Sequence, residues 1–216
     1  MRQSLRRQVQ YDLANGVDLT GWVGSIGLTV AVGIVYFLSA RLSLALLTKP
    51  EGVAVFWPAA GVSAGVLIAL GSRARWPVVV GTMAATIGAN LSGDRNLWSA
   101  VLFALCNAGE AVLTAWLIGH YFGSDFRLSK LRNVLALAAA AITGTAVSGI
   151  GGALAFKLFH STTTPILTTW QHWFVSDGLG IITVAPLLIE LGWASRDRPS
   201  PSELVEGALA VAALVT

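Results

Sequence analysis

The sequence predicts an all-α fold, a polytopic transmembrane helix bundle, and three observations support this class. The chain of 216 residues is 55% hydrophobic but only 12% charged, whereas a soluble domain carries about 25% charged residues. Its apolar residues are gathered into long uncharged runs, and most of its basic residues stand between those runs. Too little polar surface remains to cover a water-soluble globule, so we predict a membrane protein.

The lengths of the apolar runs predict the spans. A transmembrane helix needs about 20 mostly apolar residues to cross about 30 Å of hydrocarbon. This criterion gives six complete spans, which are Trp22–Leu47, Val53–Leu70, Trp76–Leu91, Leu97–Phe122, Leu131–Phe159 and Ile166–Leu191. A seventh span begins near Ser202 and stops at Thr216, too short to cross. We therefore expect residues 21–216 to form a membrane-embedded domain that is incomplete at its C-terminus.

Residues 1–20 are predicted to be a cytoplasmic N-terminal segment. Aliphatic residues recur at every fourth position among polar neighbours, at Leu5, Val9, Leu13 and Val17. This spacing is typical of a short helix lying on the membrane surface, and a disordered basic tail is the alternative. The uncharged run that follows is longer than the apolar core of a signal peptide, about 7–15 residues, so it is interpreted as the first span.

The distribution of lysine and arginine predicts the orientation. Of the 14 basic residues, ten fall in segments that a cytoplasmic N-terminus places inside, which are Arg2, Arg6, Arg7, Arg73, Arg75, Arg127, Lys130, Arg132, Arg196 and Arg198. Cytoplasmic loops of membrane proteins carry such an excess. The basic isoelectric point is thus explained by topology, and no nucleic-acid partner is expected.

Two acidic residues stand inside the predicted spans. Glu110 lies in the middle of span four, one turn after Asn107, and Asp177 lies near the middle of span six, one turn after Trp173. A charged group at mid-span costs about 2.5–3.5 kcal/mol on insertion scales, so such residues mark function. A purely structural hydrogen-bonded pair is the alternative. We expect Asn107 to donate a hydrogen bond to Glu110 across one turn of their helix.

A proline interrupts the second span in the stretch "VAVFWPAAGV". Starting the helix at Pro58 leaves too few residues to cross, so we predict a helix from Val53 with Pro58 inside it. An internal proline frees the carbonyl four residues earlier, and such broken backbone is tolerated where it lines a cavity.

The proline and the two acidic residues together predict an outward-facing pocket. Its candidate ligand-binding residues are Trp57, Asn90, Asn107, Glu110, Trp173 and Asp177. No catalytic residue, metal ligand or cofactor is assigned.

Small residues recur at every fourth position in spans two and five, which predicts close packing of helices. Ser148 belongs to the series in span five, so its first interpretation is packing. Together with His172 it faintly resembles a serine–histidine pair, which leaves an intramembrane serine protease open. Midplane carboxylates and broken helices are also typical of transporters and channels, which form the second alternative.

Three segments carry a family resemblance: "VFWPAAGV", "RARWPVVVGTMAATIGANLSG" and "WFVSDGLGIITVAPLL". Together they resemble the bacterial membrane-associated sensor domain of the MASE type, first class, over about Ala45 to Leu188. The resemblance implies a multi-pass sensory domain of the inner membrane, without catalytic activity of its own. The resemblance names no stimulus, and the two intramembrane acids suggest a small ligand or a proton.

The resemblance also implies partners. Domains of this type are joined to cytoplasmic histidine kinases, diguanylate cyclases or related phosphodiesterases. The expected partners are thus the lipid bilayer and an output domain of the same chain, in two-component or cyclic di-GMP signalling. The resemblance names no cofactor, and a homodimer is left open.

Overall fold

The computed structural model describes residues 19–45, 54–93, 95–123, 125–160 and 163–194. Within these ranges it is a bundle of six α-helices: α1 Leu19–Ala45, α2 Pro58–Leu70, α3 Arg75–Leu91, α4 Leu97–Phe122, α5 Leu131–Phe159 and α6 Ile166–Ala194. A short 3-10 turn, Gly71–Ala74, joins α2 to α3. The described ranges contain no strand. The predicted all-α class is confirmed.

The surface of the bundle suits lipid. Four helices, α1, α4, α5 and α6, are long and apolar enough to cross a membrane. Large aliphatic side chains point outward along α1, including Val23, Ile26, Val30, Ile34 and Leu38. Threonine, serine, asparagine and acidic side chains are instead buried between the helices. Lipid tails are as apolar as the outward side chains, whereas buried polar groups hold helices together from within.

The predicted count of six complete spans and a truncated seventh is not supported. Helix α2 has 13 residues and α3 has 17, which corresponds to rises of about 20 Å and 26 Å. Both fall short of the roughly 30 Å of a hydrocarbon core. The N-terminal segment up to residue 18 and the predicted seventh span lie outside the described residues.

The predicted helix through Pro58 is wrong. Helix α2 begins at Pro58, and residues 54–57 before it are not helical. A proline in the first turn costs no hydrogen bond, because the N–H it lacks would have no helical partner there. The length argument failed because α2 is buried inside the bundle for most of its course, so it need not span the lipid. Pro186 lies inside α6.

Close backbone contact holds α2 beside α6. A Cβ atom added to Gly61 would collide with the carbonyl oxygen of Gly180, and one added to Gly180 would collide with the carbonyl oxygen of Trp57. Only glycine fits at either position. The predicted packing stripe of small residues in span two is confirmed. Helix α1 packs mainly on α3, α4 lies between α3 and α5, and α5 also contacts α6.

Candidate functional site

A small cavity lies at the end of the bundle where α1, α3 and α5 end and α2, α4 and α6 begin. Its volume is about 40 Å³. A cavity needs about 10–15 Å³ to hold a water molecule, whereas pockets for drug-sized ligands measure about 300–1,000 Å³. The space therefore suits one or a few waters or a small ion.

Five of the six predicted site residues line this cavity, namely Trp57, Asn90, Asn107, Trp173 and Asp177. The sixth, Glu110, does not reach the lining and accepts a hydrogen bond from Ser148 instead. Whether this set binds a ligand stays a prediction. The structure brings five of the six residues together at this cavity, and Glu110 lies one turn along α4 from Asn107.

Both acidic side chains are buried inside the bundle. Glu110 is 2% exposed and Asp177 is 4% exposed. The hydroxyl of Ser148 on α5 donates a hydrogen bond to Oε2 of Glu110. This hydrogen bond connects α4 to α5.

The two asparagine amides are held by Thr86 on α3. Nδ2 of Asn107 donates to Oγ1 of Thr86 at 3.5 Å, and Nδ2 of Asn90 donates to the Thr86 carbonyl oxygen at 2.8 Å. The expected bond from Asn107 to Glu110 is therefore replaced by a bond to the neighbouring helix. Oδ1 of Asn107 is buried and has no hydrogen-bond partner among the described residues. It remains available to a molecule in the cavity.

Two tryptophans, Trp57 and Trp173, line the cavity. Nε1 of Trp57 donates to the hydroxyl of Tyr36 on α1 at 3.2 Å, so Trp57 is a cavity wall and not an interfacial anchor. The ring of Trp173 lies 5.3 Å from that of Phe103. Its indole N–H lies near Asp177 but lacks the geometry of a hydrogen bond within the described ranges. A small polar molecule in the cavity could therefore reach both the indole N–H of Trp173 and the carboxyl group of Asp177.

A basic and aromatic cluster lies at the same end of the bundle. Arg95, in the connection between α3 and α4, lines the cavity and lies 5.8 Å from the centre of the Phe103 ring. Burial lowers the pKa of the Arg95 guanidinium. His160, at the end of α5, stacks on Phe156 at 4.4 Å. Burial and, secondarily, the charge of Arg95 lower the pKa of His160, so its ring is neutral near pH 7.

Sequence reasoning missed several residues of the site, among them Thr86, Arg95 and Phe103, and two further omissions are instructive. Tyr36 is fully buried, and its hydroxyl accepts the hydrogen bond of the Trp57 indole. The sequence feature that could have identified it is a single tyrosine hydroxyl within an uncharged apolar segment. Ser148 was assigned to packing and, remotely, to a protease, but its hydroxyl donates to Glu110 and not to a histidine. No group of three potential metal ligands occurs in the part of the chain that the structure describes.

Comparison with known proteins gives one match. The family model described as MASE1 matches residues 28–216. No curated protein and no solved structure matches the chain. The matched range contains every residue of the cavity and of the acidic pair.

Proposed function

The chain belongs to the MASE1 family of membrane-associated sensor domains, and from this premise we propose that it is the input domain of a bacterial inner-membrane signalling protein. Domains of this family are sensory and not themselves catalytic. The apolar helices fit that role. The proposed stimulus is a small ligand or a proton, received in the cavity between α2, α3, α4 and α6.

The observation that carries this proposal is the acidic pair beside the cavity. Burying one ionisable group at membrane depth costs about 2.5–3.5 kcal/mol, and Glu110 and Asp177 are both almost completely buried. A bundle held only by packing would not need either group. Two buried acids, of which one is bonded to α5 and the other lines the cavity, are suited to convert occupancy of the cavity into a change of helix packing.

The proposed orientation places the N-terminus in the cytoplasm and the cavity toward the outside. The excess of lysine and arginine in alternate connections supports it. With this orientation, the connection between α4 and α5 lies on the cytoplasmic side. So does the C-terminal end of α6, which would lead to a cytoplasmic kinase or cyclase domain of the same chain, in a monomer or a homodimer.

The opposite end of α6 carries contacts suited to transmission. Nε1 of Trp193 donates to the carbonyl oxygen of Phe126 at 2.9 Å, and the guanidinium of Arg127 lies 3.9 Å from the centre of the Trp193 ring. The N–H of Leu128 donates to Oε1 of Glu190 at 3.0 Å. A movement of α6 that begins at Asp177 would therefore also move the connection between α4 and α5. Such coupled repacking of helices is an established type of switch.

The test is a fusion of this chain to a cytoplasmic diguanylate cyclase, with cyclic di-GMP measured in cells. The proposal expects output that changes when the composition of the outer medium changes, and no change in a fusion that lacks the chain. The same domain in liposomes should not carry solutes across the bilayer. Constant output in every medium, together with solute flux in liposomes, would contradict the proposal and favour a transporter.

A further inference from the structure

A second and larger cavity lies at the opposite end of the bundle, where α2 and α4 end and α3 begins. Its volume is about 300 Å³, at the lower limit of pockets that hold small-molecule ligands, about 300–1,000 Å³. One part of its wall is apolar and includes Leu67, Ile68 and Val112, and the polar part consists of Ser72, Arg75 and His120. An occupant of this cavity therefore needs both a polar and an apolar portion.

The polar part of the wall carries positive charge and hydrogen-bond donors. The guanidinium of Arg75 holds its N–H groups in a planar fork that matches two oxygens of a phosphate group. The Ser72 hydroxyl and an N–H of the His120 ring can donate as well. None of the acidic residues that the structure describes lines this cavity, so a bound anion meets no like charge in the wall. This part of the wall suits a phosphate group.

Two aromatic neighbours position the imidazole of His120. The ring of Trp116, one turn earlier on α4, stacks on it with the ring centres 5.1 Å apart. The ring of Tyr121 packs edge-on against it at 4.8 Å. These contacts restrict the rotation of the imidazole, and a donor that is already ordered loses less entropy when a ligand binds.

Exposed aromatic side chains relate this cavity to the surface of the membrane. Four of them lie at this end of the bundle and are between 48% and 74% exposed, namely Trp22, Trp76, Trp116 and Tyr121. Tryptophan and tyrosine are enriched at the level of the lipid headgroups, which is where the phosphate groups of phospholipids lie. In the proposed orientation this end faces the cytoplasm, and anionic lipids of the cytoplasmic leaflet attract basic residues.

We propose that this cavity binds an anionic phospholipid, with Arg75 and His120 in contact with the phosphate. An acyl chain of the lipid lies along the apolar wall beside Ile68 and Val112. The bound headgroup bridges the start of α3 and the end of α4. This binding site goes beyond the sensory function and does not depend on it. Basic pockets between transmembrane helices are a known type of headgroup site.

Native mass spectrometry of the whole chain in detergent tests the proposal, with lipids added in defined amounts. Dioleoyl phosphatidylglycerol should bind more tightly than dioleoyl phosphatidylcholine, which has the same acyl chains but no net charge. Arg75→Gln should weaken the binding of phosphatidylglycerol about fivefold, the share of one basic residue near a membrane surface. Adding His120→Gln should weaken it further. Arg132→Gln is the matched control, because Arg132 is exposed at the start of α5 and lies outside the cavity lining.

A cavity-filling variant tests the position of the site without changing its charge. Gly119 lines the cavity, and a Cβ atom added to it would have no neighbouring atom within 4 Å. Gly119→Leu should therefore enter open space, retain the fold and reduce the binding of phosphatidylglycerol. Gly109→Leu is the matched control, because Gly109 lies on the same helix, has equally open surroundings and is outside the cavity lining. Thermal unfolding of each variant checks that the fold is retained.

Three results would overturn the proposal. The first is equal binding of the two lipids, or phosphatidylglycerol binding that Arg75→Gln and Gly119→Leu leave unchanged. The second is an equal loss in Arg132→Gln and Arg75→Gln, because the attraction would then come from overall charge. The third is displacement of phosphatidylglycerol by an equimolar amount of sn-glycerol 3-phosphate, which has no acyl chain and would identify a site for a soluble phosphate ester. None of these results bears on the cyclase fusion, so the sensory function is tested separately.

Discussion

The main-chain N–H of Trp57 donates a hydrogen bond of 3.2 Å to the carbonyl oxygen of Ser176. This bond ties the residue before α2 to the middle of α6. Ser176 precedes Asp177 in sequence, and both line the cavity together with Trp57. The indole of Trp57 continues the connection to Tyr36 on α1. The position of Asp177 is therefore fixed by contacts to α1 and α2 as well as by its own helix.

We expect Gly180→Ala to destabilise the bundle. Its added methyl group would collide with the carbonyl oxygen of Trp57, and overpacking in a dense interior costs about 1–3 kcal/mol. Thermal or denaturant unfolding in detergent measures the effect. Gly178→Ala is the control on the same helix, because its Cβ would lie 3.9 Å from Oγ1 of Thr145, an ordinary contact. Equal stability of the two variants would contradict the close packing of α2 on α6.

We expect Ser148→Ala to destabilise the chain by removing a hydrogen-bond donor to Glu110. A buried polar group that loses its partner costs about 1–3 kcal/mol. Thr143→Ala on the same helix is the control, because that hydroxyl is exposed and bonds only the carbonyl of Ala139. Its effect should stay within about 0.5 kcal/mol. If Ser148 served packing alone, alanine would be tolerated as well as it is at Thr143.

The proposed topology predicts which positions react with a membrane-impermeant thiol reagent. In a background with Cys106 replaced, Arg73→Cys and Ser129→Cys should be protected in intact cells and labelled after lysis. Gly93→Cys, between α3 and α4, should be labelled in intact cells. The excess of basic residues on one side is the physical reason for this orientation. The reverse labelling pattern would show that the cavity faces the cytoplasm.

We expect Glu190→Ala to loosen the connection between α4 and α5 from the end of α6. The variant removes the acceptor of the Leu128 N–H, and such a bond contributes about 0.5–1.5 kcal/mol. Trypsin should then cleave at Arg127 or Lys130 about two- to tenfold faster, because local opening governs proteolysis. Glu190→Gln keeps an acceptor oxygen and should cleave close to the wild-type rate. Equal rates for the two variants would contradict the contact.

Much of the helical layout could be predicted, because apolar length and small-residue spacing are local signals. The bounds of α4 and α5 agree with the predicted spans. The start of α2 could not be predicted, because a length criterion for lipid-facing helices does not apply to a helix buried by its neighbours. Spacing placed Asn107 and Glu110 on one face, but it could not reveal that Thr86 lies opposite one of them and Ser148 opposite the other.

The most direct test of a sensory role for the acidic pair is the output of the cyclase fusion carrying Asp177→Asn, compared with Asp125→Asn and the wild type. The amide keeps the volume of the side chain but cannot carry a negative charge. We expect membrane insertion to be intact and output to be fixed at one level in every outer medium, while the control responds like the wild type. A variant that inserts normally and retains the wild-type response would contradict the account.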